Sequence, residues 1–279
     1  MKKCVLFLAL ISLSVLILPS CKSSFEKIRT SGDTDLMYKK AMEYNEKGDF
    51  SKAQALFELI MPSYRGKAQL EKISFIYAYT HYNLHNYTSA NYYFKNFATT
   101  FSTSPLREEA EYMAAYSNYK LSPSFRLDQD NTEKAIEGLQ LFINTHPESP
   151  RVKEANKLID NSRKKLETKV FEEGSLYYRI KQYQAAMQVF ENLLKDYPET
   201  SNAEEVRFMI LKSQYSLAEN SVYEKQLERH KLVLARYDDF VFKFPKSKLK
   251  KEAELYVKSS NKRIKELNNV RYQNPSART

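Results

Sequence analysis

Tyr183-Gln184-Ala185-Ala186-Met187-Gln188-Val189-Phe190, continued by Leu193 and closed by Tyr197-Pro198-Glu199-Thr200, is the stretch whose reading decides the fold. Tyr183, Ala186 and Phe190 fall on one helical face, and the small Ala lets a neighbouring helix come close. The pattern recurs at Phe50, Ala53 and Phe57, and again 37 residues on at Tyr87, Ala90 and Phe94. Weaker copies are Ala135 with Leu139 and Phe142, and Val233 with Tyr237 and Phe240.

A second motif is interleaved with the first. It runs from Phe101 through Ser104-Pro105 to Ala110, from His146 through Ser149-Pro150 to Ala155, from Tyr197 through Thr200 to Val206, and from Phe244 through Ser247 to Ala253. Its middle reads as a helix stop, a Ser/Thr N-cap and a new helix, with Pro105 and Pro150 expected at the first helical position. Each copy therefore predicts a helical hairpin.

A hairpin of this size cannot bury its own apolar face, so such repeats stack on their neighbours as a solenoid. The aromatic-x2-Ala-x3-aromatic motif resembles the tetratricopeptide repeat, with Ala41-Met42-Glu43-Tyr44 and Gly48 ahead of the first copy. The expected fold is all-α: about five hairpins and a capping helix. Five Gly, no Trp and no alternating strand pattern exclude a nucleotide-binding α/β domain.

The amino end reads differently. Met1-Lys2-Lys3 is a basic start, Cys4 to Leu18 an apolar run, and Leu18-Pro19-Ser20-Cys21 resembles the bacterial lipobox. We expect residues 1–20 to be a lipoprotein signal peptide and Cys21 the acylated first mature residue; an ordinary signal peptide cut elsewhere is the alternative. Residues 21–34 read as a flexible tether, 35–148 as three hairpins, 149–268 as a long connecting helix, two hairpins and a cap, and 269–279 as a disordered tail. One long helix is expected from Ser149 to about Gln182, with no breaker but Gly174, which sits where the repeat wants a small residue.

The position after the small residue of each first helix, and the one three further on, line the concave face of tetratricopeptide repeats. By that resemblance Tyr79, Tyr82, Tyr116 and Tyr119 stand together, with Tyr38, Met42 and Asn45 extending the row. Aromatic faces carrying hydroxyls suit a peptide. The alternative is that some of them are core residues with wet hydroxyls.

Catalytic chemistry is not legible. No Gly-rich phosphate loop, nucleophile elbow or metal cluster appears, so we expect no enzyme, no metal and no cofactor beyond the lipid on Cys21. His81 and His85 stand four apart, yet no third ligand joins them. Asp128 and Asp130, in an insertion over 122–131, are expected to cap a helix near Thr132 rather than bind calcium. Residues 243–279 hold eleven basic and three acidic residues. Lys250, Lys251, Lys258, Lys262 and Arg263 on the final helix are thus candidates for docking a partner: an acidic protein face first, then lipid headgroups or nucleic acid, or a merely solvated cap.

The lipobox, the five hairpins, the long middle helix, the Asp-rich insertion and the Thr103-Ser104-Pro105 and Glu148-Ser149-Pro150 starts together resemble the BamD family of outer-membrane β-barrel assembly lipoproteins. The resemblance implies a non-enzymatic scaffold, lipid-anchored at the periplasmic face of the outer membrane. Its first three hairpins would receive unfolded outer-membrane proteins through an aromatic C-terminal signal. Its second half would dock the periplasmic domains of a BamA-like insertase. Two rivals are a repeat adaptor for peptidoglycan enzymes and a nucleic-acid-binding protein of DNA uptake.

Overall fold

The computed structural model describes residues 23–273, so the signal sequence, the lipobox and Cys21 lie outside the described residues, as does the end of the chain beyond Gln273. Among the described residues there are twelve α-helices and no strand. A short α1 (Ser24–Arg29) precedes five hairpins: α2 (Thr34–Glu46) with α3 (Phe50–Ile60), α4 (Gln69–Asn83) with α5 (Tyr87–Thr100), α6 (Arg107–Leu121) with α7 (Asp130–Thr145), α8 (Val152–Arg179) with α9 (Tyr183–Asp196), and α10 (Ala203–Glu219) with α11 (Tyr223–Lys243). The last helix, α12 (Lys250–Gln273), is the cap. The repeat reading thus holds.

Its physical basis is burial. Ala53, Phe57, Ala90, Phe94, Ala186 and Phe190 are all fully buried, as are Ala110, Ala155, Val206 and Ala253 of the second motif. The closest approach falls in α8, where a Cβ on Gly174 would lie 2.7 Å from the Phe190 ring. Only glycine fits there.

Three hairpin turns share one geometry. Gly48, His85 and Lys181 take φ of 76°, 59° and 62°. The following N–H of Asp49, Asn86 and Gln182 reaches back to the carbonyl of Tyr44, His81 and Tyr177 at 2.8–2.9 Å. This six-to-one closure satisfies carbonyls that the helix end leaves open, and it places His81 at the same register as the two tyrosines. Packing position, not metal ligation, accounts for His81.

The Ser/Thr caps also form, with an addition. Ser104 Oγ, Ser149 Oγ and Thr200 Oγ1 each accept the N–H two residues on, at 3.0–3.2 Å. Each hydroxyl then donates to a glutamate of the preceding first helix: Ser104 to Glu71 at 2.5 Å, Ser149 to Glu108 at 2.5 Å and Thr200 to Glu167 at 2.8 Å. One short side chain therefore ends one hairpin and ties the next to it.

Four expectations need correction. Residues 24–29 are helix rather than tether, because Ser23 accepts the Glu26 N–H as an N-cap while Phe25 and Ile28 pack on the core of the first hairpin. The cap helix continues to Gln273, past the point where a tail was expected. Pro105 and Pro150 sit in a turn two residues ahead of α6 and α7's successor α8, not inside them, since Arg107 and Val152 first bond back to Ser104 and Ser149. The chain also divides differently, into a first compact unit up to Leu121 with Glu137–Val152 and a second made of Ser122–Ile136 with the residues from Lys153 on.

Side-chain bonding explains why the insertion belongs to the second unit. Lys165 Nζ on α8 donates to Ser122 Oγ at 2.5 Å, and Lys169 Nζ donates to the Leu127 carbonyl at 2.6 Å. Asp128 accepts the Asp130 N–H at 3.0 Å, so it caps α7 as expected, though the helix starts two residues earlier than Thr132.

Candidate functional site: the tyrosine row

Tyr79 and Tyr82 stand one turn apart on α4, and Tyr116 and Tyr119 one turn apart on α6, so two adjacent first helices supply four phenols to one place. Their ring centroids form a chain: 6.5 Å from Tyr79 to Tyr82, 6.1 Å from Tyr82 to Tyr116 and 5.9 Å from Tyr116 to Tyr119. The last two steps are stacked, at interplanar angles of 30° and 10°. All four rings are half-buried. They are neither sealed in a core nor loose on the surface.

An ion pair braces the row from one side. Arg151 forms a two-pronged pair with Glu109, at 2.8 and 2.7 Å, and its guanidinium lies 4.3 Å from the Tyr112 ring centroid. Tyr112 is buried and stacks on Tyr116 at 5.7 Å, while Glu109 accepts the Tyr79 hydroxyl. Forked Arg–carboxylate geometry fixes direction as well as distance, so the rings are held rather than merely adjacent.

Electrostatics keep the Tyr79 and Tyr82 hydroxyls protonated. Burial, reinforced by the Glu109 carboxylate, raises the Tyr79 phenol well above its ordinary value. Burial and the neighbouring Tyr116 push Tyr82 up to about 12. Both remain neutral donors at any physiological pH.

The remaining candidates are placed less uniformly. Asn45 touches α4, where its Oδ1 accepts the Thr80 hydroxyl at 3.4 Å. Tyr38 pairs with Tyr64 at 5.7 Å, and the Tyr64 hydroxyl donates to Asp35 at 3.0 Å. Met42 packs against the core of the first hairpin. The ring contacts that join the four tyrosines do not run on to Tyr38.

Several members escaped sequence reading. Tyr112 was findable, being one turn before Tyr116 on the same helix. Tyr87, 5.3 Å from Tyr82 with Lys120 Nζ 5.7 Å over its ring, was assigned only to the core motif. Arg151 and Glu109, 42 residues apart, had no signal at all. A separate cleft of about 300 Å³ opens in the same unit between Met61, Pro62, Tyr77, Tyr93, Phe97 and Phe101.

His81 lies beside that cleft, buried, stacked on Tyr93 at 4.7 Å and edge-on to Tyr77 at 4.7 Å. Neither ring nitrogen has a hydrogen-bond partner among the described residues. Burial holds its pKa below the ordinary 6.5, and the Glu58 charge offsets this only in part. The unfolded chain therefore takes up a proton before the folded one does, so stability present above pH 6.5 is lost as pH falls through the folded value. His230, buried on the second unit, adds a loss of the same sign. His81→Phe is expected to retain more stability at acid pH than the parent while matching it at neutral pH. Denaturant titrations at both pH values test this, and parallel curves would refute it.

His85 goes elsewhere, past the end of α4, with Nδ1 2.7 Å from the Tyr87 hydroxyl. The two histidines share no site. Among the described residues no group of three His, Cys, Asp or Glu could hold a metal.

The basic candidates of α12 separate as well. Lys251, Lys258 and Lys262 are exposed, whereas Lys250 is half-buried. Arg263 is engaged, donating to Gln226 Oε1 at 2.9 and 2.7 Å and to Glu266 at 3.0 Å. It fastens α12 to α11.

The hairpins and their shared caps define a helical-repeat protein of tetratricopeptide type. The profile of the YfiO outer membrane lipoprotein family matches residues 31–229, and the chain belongs to that family, the BamD family of the sequence reading. Membership associates it with the outer membrane. No helix among the described residues is long and apolar enough to cross a membrane.

No curated protein matches the chain significantly. Among solved structures, a MamA protein is 14% identical, covering 77% of this chain and 96% of its own at a TM-score of 0.31. TPR-like repeats of a putative kinesin light chain from Podosopora anserina are 12% identical, covering 74% and 96% at a TM-score of 0.32. Likenesses at such scores decide nothing further.

Proposed function

We propose that the protein is a non-enzymatic scaffold of the outer-membrane protein assembly (BAM) complex, anchored at the periplasmic face by lipid on Cys21. The row of Tyr79, Tyr82, Tyr116 and Tyr119 receives unfolded barrel proteins by their aromatic C-terminal segments, and the second unit docks the periplasmic domains of a BamA-like insertase. The single observation carrying this reading is the braced tyrosine row in a chain of this family. Stacked phenols offer flat apolar faces to a ring and hydroxyls to a backbone carbonyl or a terminal carboxylate.

Tagged protein recovered from membranes tests it. The expected co-purifying partner is the barrel insertase; recovery of murein hydrolases in its place would make the protein an adaptor of cell-wall enzymes. Cys21→Ser is expected to move the chain from the membrane to the soluble fraction, because several acyl chains hold a protein almost permanently and a tether without them does not.

A further inference from the structure

The outer face of α12 carries a ladder of lysines that no other side chain among the described residues engages. Lys251, Leu255, Lys258, Lys262 and Lys265 follow one another at intervals of four, three, four and three residues, so they form a single stripe along the helix. The stripe is about 21 Å long by helical rise. All five residues are exposed, Leu255 at 65%. Ala253, Ser260 and Leu267, each buried, lie on the opposite side of the same helix. The stripe thus faces away from the repeat core.

Its charge is uncompensated. No ion pair or hydrogen bond engages the ammonium groups of Lys251, Lys258, Lys262 or Lys265 among the described residues, while the acidic residues of α12 are all turned to other partners. Glu252 is 3.3 Å from Lys212 and accepts the Tyr256 hydroxyl, Glu254 interacts with Tyr237, and Glu266 pairs with Arg263. A solvated helix face normally intersperses its signs. This one leaves four cations around one exposed leucine.

We infer that this stripe lies against the phosphate groups of an anionic bilayer surface, with Leu255 entering the headgroup layer. The family is one of outer membrane lipoproteins, which sets the chain beside an extended phosphate-bearing plane. A straight row of lysines fits such a plane better than it fits a single bound ion. Clusters of four or more Lys on a helix with an apolar residue among them are the known pattern for anionic lipid. This goes beyond the scaffold reading and assigns the stripe to lipid rather than to the insertase.

The test uses the mature chain from residue 21 on, carrying Cys21→Ser, so that neither the apolar signal segment nor an acyl chain masks weaker contacts. Co-sedimentation with phosphatidylethanolamine vesicles containing phosphatidylglycerol is expected, with little on phosphatidylcholine alone and release by added salt. Lys251→Gln with Lys258→Gln, Lys262→Gln and Lys265→Gln should weaken vesicle binding at least about tenfold, since each lysine near such a surface contributes. A control with the same charge change, Lys157, Lys195, Lys225 and Lys231 to Gln, should lose far less. Equal losses in both variants, or binding indifferent to lipid charge, would overturn the assignment. So would loss of insertase capture by the stripe variant with vesicle binding intact, whereas failure of the unsubstituted chain to capture the insertase counts against the scaffold reading only.

Discussion

Gly174→Val is expected to lower the unfolding free energy by about 2–3 kcal/mol, because the added carbons have nowhere to go. A Cβ at this position would meet three atoms of the Phe190 ring within 2.9 Å, and that ring is itself fully buried between α8 and α9. The diagnostic variant is Gly174→Ala. In an open helix it would gain about 1 kcal/mol from better helix propensity. Here the clash should cancel that gain and leave the protein less stable than the parent. Chemical denaturation followed by circular dichroism measures both, and a stabilised Gly174→Ala would disprove the close approach. The same comparison at Gly48, where nothing lies within 4 Å but φ is 76°, probes conformation without a clash.

Tyr79→Ala combined with Tyr116→Ala is expected to weaken binding of a peptide ending in an aromatic residue by about 1–3 kcal/mol, with helix content unchanged. The two rings flank Tyr82 and carry opposite ends of the brace, Tyr79 through Glu109 and Tyr116 through the stack on Tyr112. Tyr79→Phe separates the contributions. It keeps the ring and removes only the bond to Glu109, so affinity should fall by less than half as much in free-energy terms if stacking dominates. Titration calorimetry with a synthetic peptide reads the parent and both variants. Unchanged affinity in the double variant would exclude the row as the peptide site. The cleft beside Tyr77 and Tyr93 would then be the place to look.

Much of the architecture could be read directly from residue spacing. The small-residue positions of both motifs and the closing aromatics of the first are interior in the folded chain, while the aromatics that open each copy are half-buried, since a side chain repeated every helical turn on a hairpin must face its neighbours or water. The four tyrosines came together for the same reason: residues at equal register on successive first helices are neighbours wherever the repeat is regular. Tyr38 failed to join them because Tyr64, on the 3₁₀ turn after α3, offers it a closer partner. The α1 helix was hidden by composition. Its cue, Ser23 three residues before Glu26, is short, and its stability comes from Phe25 meeting Tyr44 edge-on at 5.9 Å.

By itself the sequence determined the number of hairpins, their turns and the length of α8, because all of these follow from local periodicity and from caps that act within a few residues; that position 174 admits only glycine was decided by the approach of Phe190. Tertiary structure alone decided the bonds of Ser104, Ser149 and Thr200 to Glu71, Glu108 and Glu167, and the grip of Arg151 on Glu109 and Tyr112. It also decided which lysines of α12 remain free. Such contacts join side chains 33 to 42 residues apart, and charge pairing at that distance depends on where two helices happen to cross, which no pattern within either helix records.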